Sequence, residues 1–231
     1  MVTNRNITYL IILFALMCIP GYSQSDKEPC KYWTAGLSAA LTNYDAWEIE
    51  PSIAYHPIRY AGVGVGILYT KTMGKPSYSG YTADQSLIWF IASDDLNYVL
   101  ALRPELRLAT PAVYLDKDQE LALSLRVSPG LTIPFPANLP HNVEYIPNRV
   151  GVNTAVAYDR VTNTGAKACY YQLKTAIALE MDEITLSLGY NFSNFDLYGG
   201  SRNIIVEGKR LKPATGIKYM HSVSVGVSYS F

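Results

Sequence analysis

The sequence is poor in charge. Only 16% of its 231 residues are Asp, Glu, Lys or Arg, and 19 basic side chains are balanced by 19 acidic ones. A formal charge of zero leaves no electrostatic footprint for nucleic acid, and no polybasic segment for a membrane surface. Cysteine is scarce too, with three in the chain. There is no CxxC and no HExxH, and His56, His141 and His221 are scattered, so no metal-ligand spacing is present and no cofactor is expected. Beyond the first two dozen residues the chain also lacks any apolar run of about 20 residues, the length a membrane-spanning helix requires.

What the chain has instead is tyrosine, 19 of them, together with abundant Ser, Thr, Asn and Gly. The opening residues MVTNRNITYLIILFALMCIPGYSQ carry Arg5, an apolar stretch over Ile7 to Ile19, Pro20, and the small-x-small sequence Gly21-Tyr22-Ser23. This layout predicts a secretory signal over residues 1–23, leaving one domain over residues 24–231. Cys18 leaves with the signal. Cys30 and Cys169 could then pair in an oxidising compartment.

Strict alternation of apolar and small or polar residues predicts β-strands with one face of each kind. It recurs at Trp33 to Leu41, Ile49 to Tyr55, Ala61 to Tyr69, Leu100 to Leu108, Leu121 to Val127, Leu173 to Met181, Ile184 to Phe192, and His221 to Phe231. A soluble sandwich would cover its polar face with long charged side chains. Here that face is mostly Gly, Ala, Ser and Thr, residues that fit the interior of a narrow closed barrel, and the apolar face suits lipid. The connections alternate short and long, and aromatics gather at both ends of the strands: Trp33, Tyr55, Tyr60, Tyr229 and Phe231 at one, Tyr69, Tyr98, Tyr171, Tyr190 and Tyr219 at the other. The expectation is an all-β fold, an eight-stranded antiparallel up-and-down transmembrane β-barrel. Ten strands is the alternative, if SLIWFIA (residues 86–92) and RVGVNTAVAY (residues 149–158) also cross, but SLIWFIA does not alternate and Asn163-Thr164-Gly165 reads as a hairpin tip above the barrel.

The signal, the strand pattern and the final aromatic together resemble the small outer-membrane β-barrel proteins of Gram-negative bacteria, the group that includes the OmpA transmembrane domain and OmpX. The resemblance implies a location in the bacterial outer membrane, in contact with its lipid. It also implies that Val223, Val225, Val227, Tyr229 and Phe231 form the signal read by the outer-membrane assembly machinery.

The inward positions carry Glu50, Arg103, Glu105, Arg107, Arg126, Lys174 and Glu180. Buried charges are costly unless paired, so these predict a salt-bridged network that fills the lumen; a gated narrow pore is the sharper alternative. Gly62-Val63-Gly64-Val65-Gly66 lacks the GxGxxG spacing and a following helix, which makes it a strand with inward glycines and not a nucleotide loop. For a lipid-modifying enzyme the only nucleophile and base in sight are Ser222 and His221. Adjacent strand residues point to opposite faces, so they cannot form a direct bond, and no enzyme is expected. Binding is left to the long loops, through the apolar Leu87 to Ile91 or the stretch NFSNFDLYGGSRN, which could meet a ligand at the cell surface. In this strand order Cys30 and Cys169 lie at opposite ends, and a native bridge between them would refute it.

Overall fold

The computed structural model describes residues 32–73, 78–82, 84–91, 98–118, 120–135, 141–161, 167–197, 205–206, 209–210 and 217–231. The signal segment and Cys30 therefore lie outside the described residues. In chain order the strands are β1 (Trp33–Thr42), β2 (Ala46–Ile58), β3 (Ala61–Thr72), β4 (Tyr78–Tyr81), β5 (Leu87–Ile91), β6 (Tyr98–Ala109), β7 (Val113–Tyr114) and β8 (Leu121–Pro134). They continue with β9 (His141–Pro147), β10 (Ala157–Val161), β11 (Tyr170–Met181), β12 (Ile184–Ser193), β13 (Ile205–Val206), β14 (Lys209–Arg210) and β15 (Met220–Ser230).

Eight long strands pair antiparallel in the order β1-β2-β3-β6-β8-β11-β12-β15, and β15 returns to β1 from Thr34↔Ser230 to Thr42↔Ser222. The sheet is thus closed, as the alternation predicts. The first and last strands meet at this seam, where Trp33 and Phe231 exchange two backbone hydrogen bonds of 3.0 and 2.8 Å. Closure matters because an open edge in hydrocarbon would leave a row of unsatisfied backbone groups.

Register fixes the barrel's size. Hydrogen-bonded neighbours run from Thr34 through Ala54, Gly64, Glu105, Gly130, Gln172 and Ser193 to Met220. Met220 lies two residues beyond the Thr42↔Ser222 pair, level with Tyr44, so one circuit advances the chain by ten residues. Eight strands with that stagger tilt by about 40° and enclose a backbone cylinder of about 8 Å radius. A cylinder so narrow holds side chains and little else.

One rim carries short turns, at Arg59–Tyr60, residues 110–120 and Asp182–Glu183. The other carries the connection Asn43–Asp45 and three long ones. Two of the long connections build a second sheet of four strands, ordered β10-β9-β5-β4. Neither extra segment crosses the barrel, so the ten-strand alternative does not apply. Leu87–Ile91 of SLIWFIA is nonetheless a strand, and its lack of alternation has a reason: Trp89 is fully buried between Gly80 of β4 and Tyr145 of β9, with Ile88 and Phe90 half-buried on the other face. RVGVNTAVAY is mostly a turn. Gly151 has φ +83°, which breaks an extended strand, and Asn148 ties the turn to Ser86 and Gln85. The β9–β10 hairpin therefore turns at residues 148–156, and Asn163-Thr164-Gly165 lies outside the described residues.

Outward positions form a band of exposed aliphatic side chains around the barrel, including Leu37, Ile49, Ile53, Val63, Ile67, Leu102, Leu125, Ile177, Leu188 and Val225. Such a continuous apolar surface is matched to hydrocarbon rather than water. Rings bracket it: Trp33 contacts Tyr55 and Tyr229 contacts Phe231 at the short-turn rim, while Trp47 contacts Tyr69 and Phe192 stacks on Tyr219 at the other.

Candidate functional site

The inward face is divided. β1, β3, β12 and β15 present Gly, Ala, Ser, Thr, Asn, Leu and Met to the lumen, whereas β2, β6, β8 and β11 carry all the charged side chains paired there among the described residues. Period-two alternation places every second residue of each strand inside. Register then decides which charges meet.

Six of them form an alternating ladder. Arg103, with a side chain 2% exposed, donates from Nη2 to Glu48 Oε1 at 3.1 Å and from Nη1 to Glu50 Oε2 at 2.8 Å. Its Nε donates to Thr132 Oγ1 at 3.3 Å, and that hydroxyl donates to Gln172 Oε1 at 3.1 Å. Lys174 Nζ then bridges Glu50 Oε1 at 2.5 Å and Glu105 Oε2 at 2.9 Å. Glu105 Oε1 accepts from Arg107 Nε at 2.7 Å, and Arg107 Nη2 donates to Ser52 Oγ at 2.9 Å. Arg126 and Glu180 stand apart as a pair at 3.0 Å near the short-turn rim, with side chains 31% and 33% exposed and with Ser124 and Thr185 as neutral partners.

All seven charged positions read from the sequence thus point inward and find partners. Glu48 is the one the reading missed. It sits two residues before Glu50 and shares its parity, which was the available signal. Counting it turns four bases against three acids into four against four.

The glycines of β3 make the ladder geometrically feasible. Arg103 is the cross-strand neighbour of Gly66, and its guanidinium reaches past β3 to carboxylates on β2. A Cβ on Gly66 would fall within 2.9 Å of Glu50 Cδ, and one on Gly64 within 3.0 Å of Arg107 Nε. The GVGVG run is a bare strip over which two arginines and a glutamate pass.

At the long-loop rim the lumen is roofed by an apolar cluster. Tyr44, Ala46, Tyr170, Phe195 and Met220 are buried together, with Val99 and Leu197 packed against them and the Tyr170 and Phe195 rings edge to face at 5.1 Å. Phe195 belongs to the stretch NFSNFDLYGGSRN, so part of that segment caps the barrel; its residues from 198 to 203 lie outside the described ones. Between the ladder and the small residues of β1, β12 and β15 a cavity of about 30 Å³ remains, lined by Ser38, Glu48, Arg103, Asn191 and Ser222 among others. That is room for one or two waters.

The other sequence candidates separate as follows. Val223, Val225, Val227, Tyr229 and Phe231 are all exposed on the outer face of β15 and its end. Ser222 turns inward and is buried, while His221 lies on the outer face with Nδ1 2.5 Å from Tyr190 Oη. The apolar Leu87 to Ile91 stretch is not a free loop but a strand whose Trp89 is buried with Val143 and Tyr145. Cys169 is an exposed free thiol beside β11 at the long-loop rim.

No protein-family model matches the chain, and neither does any curated protein. Similar solved structures include a de novo designed transmembrane β-barrel, 8% identical over 88% of this chain and 98% of that one, with a TM-score of 0.40. Neisserial surface protein A is 11% identical over 87% of this chain and 96% of its own, with a TM-score of 0.40. The N-terminal β-barrel domain of Pseudomonas aeruginosa OprF is 12% identical over 86% and 97%, with a TM-score of 0.38. The closed barrel itself rests on the strand pairing given above.

Proposed function

We propose that the chain is an integral protein of a bacterial outer membrane whose barrel is sealed and serves as a rigid support for a sheet displayed at the cell surface. The observation that carries this reading is the filled lumen: a charge-balanced ladder inside, an apolar cap above, and a residual cavity of about 30 Å³. A hydrated ion does not fit a hollow that holds a water or two. The apolar outer band supports lipid as the surrounding medium, and the alternating outward residues of β15 with Phe231 support recognition by the assembly machinery. With the lumen closed, contact with a surface ligand falls to the sheet of β4, β5, β9 and β10. The role we infer is structural or adhesive; Ser222 and His221 face opposite sides of the wall and do not form a nucleophile–base pair.

Cys169 provides the test. In a Cys30→Ser background, a membrane-impermeant maleimide should label Cys169 on intact cells, and the protein should fractionate with outer membranes. Labelling only after permeabilisation would overturn the orientation, and recovery in the soluble fraction would overturn the location.

A further inference from the structure

The sheet of β4, β5, β9 and β10 has two faces, and they differ. On the first, Trp89, Val143 and Tyr145 are buried. Directly opposed residues of paired strands point to the same side, so register defines the second. Phe90 of β5 and Tyr158 of β10 are both cross-strand partners of Glu144 on β9, which sets a carboxylate between two rings in one row. The row on one side of it is apolar, with Tyr81, Ile88 and Ile146, and the row on the other side carries Arg160 on β10. Tyr81 and Tyr158 are 48% and 70% exposed, Arg160 is exposed, and the rest are half-buried.

The charges distinguish this face from a merely apolar patch. Among the described residues Glu144 forms no hydrogen bond or ion pair, and neither does Arg160, although the two stand one row apart on the same side. A half-buried carboxylate between rings has lost part of its water without gaining a partner. The flanking strands of Phe90 and Tyr158 are two strand spacings, about 10 Å, apart. That gap admits an ammonium or guanidinium group, which the carboxylate and the ring quadrupoles both attract. Neighbouring rows lie two residues, about 7 Å, apart along the strands, the repeat of an extended chain. Across the rows, Arg160 demands an acid, Glu144 a base, and Ile88 with Ile146 an apolar side chain.

We propose that this face docks an extended segment of another protein with the pattern acid-x-base-x-apolar, read in either chain direction. The basic side chain enters between Phe90 and Tyr158 onto Glu144, the acid meets Arg160, and the apolar residue covers Ile88 and Ile146. This inference rests on the surface-support reading, since it gives the displayed sheet the chemistry of its partner.

The test pans a displayed library of random heptapeptides against the full-length barrel refolded in detergent micelles, so it does not depend on where the protein resides. Enriched peptides should carry acid-x-base-x-apolar or its reverse. Glu144→Gln should weaken the best of them about 10-fold, and Glu144→Lys should select an acid at the central position instead. Both variants should keep the unheated gel mobility of the parent, because Glu144 lies outside the barrel wall. No enriched pattern, or uncharged apolar peptides that ignore both substitutions, would overturn the proposal. So would a dimer, seen by sedimentation, that Glu144→Lys dissociates, since a second copy would then be the occupant. Enrichment as expected, from a protein whose Cys169 is not labelled on intact cells, would uphold the docking face and remove its display at the surface. Labelling without enrichment would do the reverse.

Discussion

Arg103 is the most heavily engaged charge in the lumen, and replacing it by methionine isolates what the ladder contributes. The substitution keeps a flexible chain of similar reach but deletes two ion pairs, at 2.8 Å to Glu50 and 3.1 Å to Glu48, and the hydrogen bond to Thr132. Each unit-charge pair is worth about 4 kcal/mol of Coulomb attraction at about 4 Å and an effective dielectric of about 20. Desolvation offsets much of that while the pair is intact, but not for a carboxylate left behind. Lys174 still holds Glu50, whereas Glu48, 4% exposed at its side chain, keeps among the described residues only a hydrogen bond from Thr70 at 3.5 Å. Breaking a buried pair in this way costs about 3–5 kcal/mol, roughly a 10²- to 10⁴-fold fall in the folding equilibrium. Urea titration of the refolded barrel in lipid vesicles, followed by tryptophan fluorescence and by unheated gel mobility, reads this directly. The triple variant Glu48→Gln, Glu50→Gln, Arg103→Met should recover more than half of the loss, because no bare charge remains. Arg126→Met, which breaks a pair about one-third exposed, should cost within about 1 kcal/mol. An Arg103→Met barrel as stable as the parent, or no recovery in the triple variant, would refute the ladder as an energetic unit.

Two further perturbations bear on other parts of the structure. Gly66→Ala puts a methyl against the Glu50 carboxylate and should cost about 1–3 kcal/mol by overpacking; the same urea titration checks it, and a neutral result would mean that Glu50 moves aside freely. Deleting Phe231 removes the two backbone hydrogen bonds to Trp33 at the closing seam and the ring stacked near Tyr229 at 6.2 Å. Heat-modifiable folded protein in the outer-membrane fraction should then drop several-fold, and normal insertion would remove the assembly reading while leaving the barrel intact.

The barrel was legible because its signal is the simplest one a sequence carries. A period of two sorts each residue to lipid or lumen, and a wall with hydrocarbon outside and little space inside tolerates few exceptions. The same rule put the seven named charges inside. It could not say that Arg103 would meet Glu48 and Glu50 across β3, because partnering depends on the ten-residue stagger, a property of all eight strands together. Nor could it show that the bare glycines of β3 serve that crossing. Outside the membrane band the signal weakens. SLIWFIA hides its strand because both faces are covered to some degree, and RVGVNTAVAY alternates without being a strand because Gly151 turns the chain with φ +83°. The apolar cap combines residues 44, 170, 195 and 220, which no local pattern connects.

The central claim is that this barrel is filled rather than open, and electrical conductance across a planar lipid bilayer tests it most directly. Reconstituted protein at 1 M KCl, a salt concentration of about 3 Å screening length chosen to make any pore visible, should show no steady open-channel current at either polarity. Stable, stepwise currents from the unaltered chain would mean that ions traverse the ladder, and would contradict the sealed lumen.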